Sequence, residues 1–137
     1  MVEQSLVFIK PDGVKRRLMA EVIRRFEVRG FAFRKLELRQ LSSEEVDRHY
    51  EEHIDKPFFP RLKEFILSGP ILLMVLEGDR VVDTIRTMVG PTDALDALPG
   101  TIRGDLALSK GENVIHASDS PTSAQREITN FFGALTH

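Results

Sequence analysis

The sequence contains no cysteine. It therefore has no disulfide framework, no thiol nucleophile and no cysteine-based zinc site. No apolar run approaches the roughly 20 residues that a membrane-spanning helix needs. The N-terminus shows neither the basic region nor the apolar stretch of a signal peptide. From these absences we expect a cytoplasmic protein with no membrane partner.

An excess of charge of one sign is also missing, because the formal net charge is −2 over 137 residues. This balance gives no indication of nucleic acid as a specific partner. Basic residues crowd the segment from 15 to 29, and we interpret them as a solvated helix face. A chain of this length can bury a hydrophobic core without staples. We expect one domain over residues 1–137.

The common phosphate-binding and hydrolase motifs are absent as well. The sequence has neither G-x-x-x-x-G-K-[ST] nor G-x-G-x-x-G, the two glycine-rich patterns that cradle phosphates. It also lacks the G-x-S-x-G and H-E-x-x-H patterns of hydrolases and zinc proteases. Any nucleotide bound here must therefore be held by side chains.

The spacing of apolar residues predicts strands that alternate with helices. The predicted strands cover residues 5–10, 31–38, 71–76 and 113–115. The predicted helices cover residues 14–29, a short segment after the Ser42/Glu45 capping box, residues 60–67, a segment after Gly78-Asp79, and a last one that begins at Ser120-Pro121. This order predicts an α+β fold with a ferredoxin-like βαββαβ core: a four-stranded antiparallel sheet covered by helices, with an extra helix pair inserted. Residues 90–112 form a long loop of the kind that is usually functional.

The four histidines differ in what they could do. His49 and His53 are four residues apart, but no third ligand accompanies them, so we expect no metal site. His137 is terminal and expected to be disordered. His116 lies between a strand and a helix start, where free backbone N–H groups favour anions. It is either a structural histidine in a polar turn or a nucleophile.

Four charged residues bear on that choice. Glu127 flanks the apolar face of the last helix, from which a carboxylate could orient an imidazole. Lys10 ends the first strand, Arg86 flanks an apolar helix face, and Arg103 lies in the long loop. Singly, each would be interpreted as a surface charge. Together the three cations could clamp a triphosphate.

Residues 113–120 (NVIHASDS) closely resemble the active-site motif of nucleoside diphosphate kinases. The resemblance continues through residues 8–14, 56–59, 68–70, 88–93 and 99–105, and so extends over almost the whole chain. Several long matches in the same order are far more specific than one short motif. Ala117 stands where the family most often has glycine, and Ala94 stands where proline is common.

The resemblance implies a phosphotransferase that moves the γ-phosphate of a nucleoside triphosphate to a nucleoside diphosphate by a ping-pong mechanism. It implies that His116 is phosphorylated and that Ser118 and Glu127 support it. It implies Mg²⁺ bound with the nucleotide phosphates and a homo-oligomer, expected to be a hexamer, with a tetramer or dimer as alternatives. The residues matching those that hold the phosphates and the ribose are Lys10, Tyr50, Arg86, Thr92, Arg103 and Asn113. Phe58 matches the aromatic residue that stacks on the base, although the sequence leaves open whether Phe58 or Phe59 is exposed.

Two other classes of protein remain alternatives. The first is a non-catalytic member of the same fold that senses nucleotides or binds a partner. The presence of His116 with all its expected neighbours argues against it. The second is a ferredoxin-like regulatory domain for small metabolites, which would not explain the set of Lys10, Arg86, Arg103 and His116.

Overall fold

A computed structural model of the chain describes residues 2–133. Its four strands form an antiparallel sheet in the order β2-β3-β1-β4. The strands are β1 (Val2–Ile9), β2 (Ala32–Arg39), β3 (Ile71–Asp79) and β4 (Ile115–Ala117). The predicted α+β fold with a four-stranded antiparallel sheet is confirmed. His137, expected to be disordered, lies outside the described residues.

Helices occupy most of the connections between the strands. They are α1 (Pro11–Lys15), α2 (Met19–Val28), α3 (Ser43–His49), α4 (Phe59–Leu67), α5 (Val81–Val89), α6 (Ile102–Leu106) and α7 (Pro121–Phe132), with short 3₁₀ helices at Glu51–His53 and Ala94–Asp96. Helices α3 and α4 are the inserted pair that the sequence predicts between β2 and β3. Within residues 2–133, none of these helices has the length and apolar character to cross a membrane.

The sheet separates two clusters of buried apolar side chains. Successive side chains of a strand point to opposite faces, and on β1 Val7 and Ile9 join one cluster while Leu6 and Phe8 join the other. The Phe8 cluster also contains side chains of α3, α4 and α7. Phe8 pairs directly with His116 on β4, so His116 lies on the sheet face that these helices cover.

The predicted capping residues are confirmed. The Ser42 hydroxyl accepts the Glu45 N–H at 3.1 Å, and the Glu45 carboxylate accepts the Ser42 N–H at 3.0 Å. Ser120 accepts the Ser123 N–H at the start of α7, whose first residue is Pro121. Each cap satisfies a backbone N–H that has no partner within its own helix. The caps therefore fix where α3 and α7 begin, and both helices line the site.

The predicted continuous helix over residues 14–29 is wrong. Helix α1 ends at Lys15 and α2 begins at Met19, with Arg17 between them at a φ of 62°. A residue in the left-handed region cannot belong to a right-handed helix. The helical spacing of apolar residues survives the break, because Val14 and Leu18 both still pack against the core.

The predicted last strand over residues 113–115 is displaced by two residues. Strand β4 begins at Ile115, and Val114 precedes it with a φ of 73°. The Ile115 N–H donates to the Asn113 carbonyl at 2.8 Å, which closes a three-residue γ-turn centred on Val114. The turn interrupts the extended backbone before β4, and the Asn113 side chain lines the functional cavity.

Candidate active site

A cavity of about 910 Å³ opens beside the ends of β1 and β4. Nine of the ten residues predicted for the site line it: Lys10, Tyr50, Phe58, Arg86, Thr92, Arg103, Asn113, His116 and Glu127. The tenth, Ser118, is fully buried and contacts Glu127 from behind. The fold thus brings together residues that lie far apart in the sequence, from the end of β1 to the last helix.

His116 is oriented by a chain of hydrogen bonds. Its Nε2 lies 3.0 Å from Oε1 of Glu127, and the Ser118 hydroxyl donates to the same oxygen at 2.7 Å. The Leu6 N–H in turn donates to the Ser118 hydroxyl at 3.1 Å. The side chain on β4 is therefore tied through α7 to the centre of the sheet, which fixes the plane and tilt of the imidazole.

The ionisation state of Glu127 determines which nitrogen of His116 carries a proton. Burial alone would raise the pKa of its carboxyl, but the interaction with His116, supported by the hydrogen bond from Ser118, outweighs it and lowers the pKa below the ordinary value. The carboxylate is therefore ionised at neutral pH and can only accept hydrogen bonds. Nε2 of His116 must then carry the proton. In the neutral imidazole, this leaves Nδ1 with a free lone pair, as a nucleophile requires.

Two rings confine the His116 imidazole. Phe8 stacks on it with ring centroids 4.8 Å apart and planes inclined by 25°, while His49 meets it at 84° with centroids 4.6 Å apart. Burial, and then the charge of His116, hold the pKa of His49 well below its ordinary value. His49 is thus a neutral aromatic neighbour at physiological pH. From the sequence, His49 was a candidate metal ligand only, and nothing in the sequence indicated this contact with His116.

Lys10 and Asn113 form a polar pair on the cavity wall. The Lys10 Nζ donates to Oδ1 of Asn113 at 2.7 Å, and the Asn113 amide donates to the Thr92 carbonyl at 3.0 Å. Burial, and then the positive charge of Arg103, lower the pKa of Lys10 to about 8. The nearby Asp12 charge opposes this shift without reversing it. An ammonium group that is hydrogen-bonded to an amide oxygen and faces the cavity is suited to a bound anion.

The two arginines of the cavity have different surroundings. The Arg103 side chain is almost fully buried and donates to the carbonyls of Asn113, Ile115 and Gly90 at 3.3, 2.6 and 3.0 Å. Burial, and then the charge of Arg86, lower its pKa to about 10. Arg86 is exposed and makes one long contact of 3.4 Å to the Ala117 carbonyl. Arg103 therefore has a structural role as well as a charge, whereas Arg86 is available to a ligand.

The structure decides which of two adjacent phenylalanines is exposed. Phe58 lines the cavity with 51% of its surface exposed, while Phe59 is 6% exposed and packs in the core. Tyr50 lies deeper, where burial and then the charge of Glu127 raise the pKa of its hydroxyl. The cavity thus has an aromatic face near its opening and positive charge further inside.

A metal ion has one candidate position among residues 2–133. His49, His116 and Glu127 each offer a ligand atom, and these atoms lie within 4.8 Å of one another. Two imidazoles and a carboxylate suit zinc and other transition metals rather than Mg²⁺, which prefers oxygen ligands. The His116–Glu127 hydrogen bond already engages two of the three groups, so the cluster is explained without a metal.

Comparisons with known proteins point to one family. The family model "Nucleoside diphosphate kinase" matches residues 3–136. A nucleoside diphosphate kinase of Thermus thermophilus is 55% identical over 131 residues, which cover 96% of each chain. One from Staphylothermus marinus is 53% identical over 130 residues, 95% of this chain and 92% of that protein. The chain belongs to the nucleoside diphosphate kinase family.

Solved structures of nucleoside diphosphate kinases agree with the fold. The enzyme of Halobacterium salinarum, solved in complex with CDP, superposes with a TM-score of 0.94 at 42% identity and covers 98% of this chain and 90% of its own. The enzyme of Aquifex aeolicus gives a TM-score of 0.93 at 38% identity, covering 96% of each chain. The predicted family and activity are confirmed: the chain is an enzyme that transfers phosphate between nucleotides.

Ala117 occupies a position where nucleoside diphosphate kinases most often have glycine. A positive φ there would strain alanine by about 1–2 kcal/mol. Ala117 lies within β4, is almost fully buried, and is not among the described residues with positive φ. The alanine therefore fits the backbone without strain and does not disturb the position of His116 on β4.

Proposed function

We propose that this enzyme moves the γ-phosphate of a nucleoside triphosphate to a nucleoside diphosphate through a phosphate carried on Nδ1 of His116. One domain, residues 1–137, supplies the site. The observation that carries the proposal is the hydrogen bond between Nε2 of His116 and the ionised Glu127, because it leaves Nδ1 as the free nitrogen of the ring. Lys10, Arg86 and Arg103 supply positive charge in the same cavity.

In the first half-reaction, the Nδ1 lone pair forms a bond to the γ-phosphorus. The bond from this phosphorus to the oxygen that bridges the β- and γ-phosphates breaks, and the diphosphate leaves with the electron pair. The imidazole now carries both a phosphate and the Nε2 proton, and the Glu127 carboxylate stabilises its positive charge. Lys10, Arg86 and Arg103 stabilise the negative charge on the moving phosphoryl group.

In the second half-reaction, a terminal oxygen of the incoming diphosphate attacks the same phosphorus. The P–N bond breaks and its electrons return to Nδ1, which restores the free enzyme. Both half-reactions use one cavity and one set of cations, since the phosphate-bearing ends of donor and acceptor are alike. The kinetics are then ping-pong.

Mg²⁺ fits this cavity as a companion of the nucleotide. Acidic side chains do line it, namely Glu52, Glu112, Asp119 and Glu127, but none of them belongs to a described cluster of three oxygen-donor side chains. Mg²⁺ is commonly held by one or two carboxylates together with substrate phosphates. When bound in this way, it neutralises phosphate charge, while Lys10 and the two arginines bind and orient the phosphates.

The arrangement of the cavity supports a broad choice of nucleotide. Phe58 offers an apolar face near the opening, and stacking on an aromatic ring tolerates every base. Tyr50, Thr92 and Asn113 line the same cavity, and we assign them to contacts with the phosphates and the ribose, as the resemblance implies. The proposal also includes a cytoplasmic location and a homo-oligomer, which we expect to be a hexamer. Light scattering on the native protein would determine the number of subunits.

Labelling with γ-labelled ATP tests the proposal. The full chain should form a phosphoprotein that is labile to acid and stable to alkali, as phosphohistidine is, and should pass the label to added GDP. His116→Ala should take up no label. A labelled protein that retains its phosphate when diphosphate is added would show that phosphorylation is not part of the transfer.

A further inference from the structure

The turn before β4 holds a residue in a conformation that it rarely adopts. Val114 is fully buried and has a φ of 73°, a region that β-branched residues enter only as outliers. It is the centre of the γ-turn closed by the Ile115 N–H and the Asn113 carbonyl, and the positive-φ form of that turn is rare and strained. Such a conformation persists only when surrounding groups enforce it.

Three residues make the contacts that enforce the turn. The Asp12 Oδ2 accepts the Val114 N–H at 3.1 Å, and the Lys10 backbone N–H donates to the Val114 carbonyl at 2.7 Å. Arg103 donates to the carbonyls on both sides of Val114, as described above. Among these contacts, Asp12 provides the side-chain acceptor for the N–H of the strained residue itself.

Helix α1 packs directly against the turn and holds Asp12 in place. The next residue is Gly13, where an added Cβ would lie 2.5 Å from Cγ2 of Ile9 and 3.0 Å from Cγ1 of Val114. Only glycine permits so close an approach. Asp12 is itself almost fully buried, so its carboxylate interacts with protein groups and has little contact with solvent.

We propose that Asp12 is a positioning residue for the phosphate transfer, acting by holding Val114 in the strained γ-turn. This inference rests on the proposed function of His116. Asp12 does not line the cavity. Its charge also acts on Lys10, and Asp12→Asn separates the two effects because it removes the charge and keeps an acceptor for the Val114 N–H. Asn113 is the first residue of that turn, and its side chain anchors Lys10.

The consequence of losing the carboxylate follows from this geometry. Without an acceptor for its N–H, Val114 relaxes toward negative φ, and the chain before β4 changes direction. Asn113 then no longer holds Lys10 and the Thr92 carbonyl in one place. His116 itself keeps its β4 pairing with β1 and its bond to Glu127, so the nucleophile remains while the phosphate contacts are misplaced.

The test is the single-turnover rate at which γ-labelled ATP labels His116 in the full chain at saturating nucleotide. Asp12→Ala should slow labelling at least tenfold. Asp12→Asn, whose amide oxygen can still accept the Val114 N–H, should stay within threefold of wild type. In a Val114→Gly background, Asp12→Ala should cost less than threefold, because glycine adopts a positive φ without strain. Asp83→Ala, which removes an exposed carboxylate of α5, is the matched control and should label at the wild-type rate.

The outcomes separate this inference from the proposed function. Absence of label on His116 in the wild type would contradict the proposed function itself. A normal wild type with Asp12→Ala slowed less than tenfold, or slowed equally in both backgrounds, would overturn the positioning role alone. Should Asp12→Ala fail to fold, the double variant with Val114→Gly must still fold and label, and its failure to do so would also overturn the inference.

Discussion

The lowered pKa of Lys10 predicts an unusual dependence of catalysis on alkaline pH. With a pKa of about 8, the free enzyme carries the Lys10 charge in about 90% of molecules at pH 7, about half at pH 8 and about a tenth at pH 9. We expect kcat/KM to fall about tenfold between pH 7 and pH 9, because kcat/KM reports the ionisation of the free enzyme. A lysine with its ordinary pKa would lose only about 3% of its charge over the same range.

The effect should be confined to nucleotide capture. Bound phosphates favour the charged form of Lys10 and raise its pKa, so kcat should change much less than kcat/KM. Two variants serve as controls. Lys10→Arg keeps its charge throughout this range and should lose the alkaline limb, while Lys10→Met should be low and flat. The measurement is the pH profile of initial rates at subsaturating nucleotide. A wild-type kcat/KM constant within twofold between pH 7 and pH 9 would refute the reasoning.

Four other side chains give separate outcomes. His116→Ala should abolish turnover without changing the circular dichroism spectrum, and turnover within tenfold of wild type would contradict the mechanism. Arg86→Ala and Arg103→Ala should each lose about 2–4 kcal/mol of transition-state stabilisation in kcat/KM. Only Arg103→Ala should also lower Tm clearly, because that side chain holds three backbone carbonyls. Unchanged kcat/KM in either variant would show that the charge of that arginine plays no part in the transfer. Phe58→Ala should cost about 1–3 kcal/mol for ADP, GDP and CDP alike, and a preference above a thousandfold for one base in the wild type would show a polar group that reads the base.

The sequence predicted those features that depend on local chemistry. The capping box of Ser42 and Glu45 and the proline start of α7 follow from groups within one helical turn. The order of strands and helices followed from the spacing of apolar residues. On β1 and β3 this spacing becomes an almost continuous apolar run, because residues on both faces of these strands are buried. His116 and the charged residues Lys10, Arg86, Arg103 and Glu127 were candidates from their positions in the sequence, and the resemblance added the other five. Nine of the ten line one cavity, and Ser118 lies behind it.

Other features depend on contacts between distant segments. Valine has a strong preference for strands, and the sequence around Val114 gives no sign that Asp12, 102 residues earlier, accepts its N–H. A glycine in the sequence can indicate a backbone with positive φ, but an arginine such as Arg17 gives no such indication. Phe58 and Phe59 are identical residues, so only packing could distinguish the exposed ring from the buried one. His49 was missed as a neighbour of His116 because α3 and β4 meet only in the folded chain.

The neutral state of His49 has a consequence for the energy of the intermediate. Transfer between two nucleotides breaks and forms the same type of bond. In the proposed mechanism, the phosphoenzyme must therefore lie near the donor and acceptor states in free energy if neither half-reaction is to stall. A second imidazolium beside the phosphate would stabilise the phosphorylated His116 and turn the intermediate into a trap. Because burial holds the pKa of His49 well below its ordinary value, its ring confines His116 without adding a positive charge, so it would not stabilise the phosphate of the proposed intermediate.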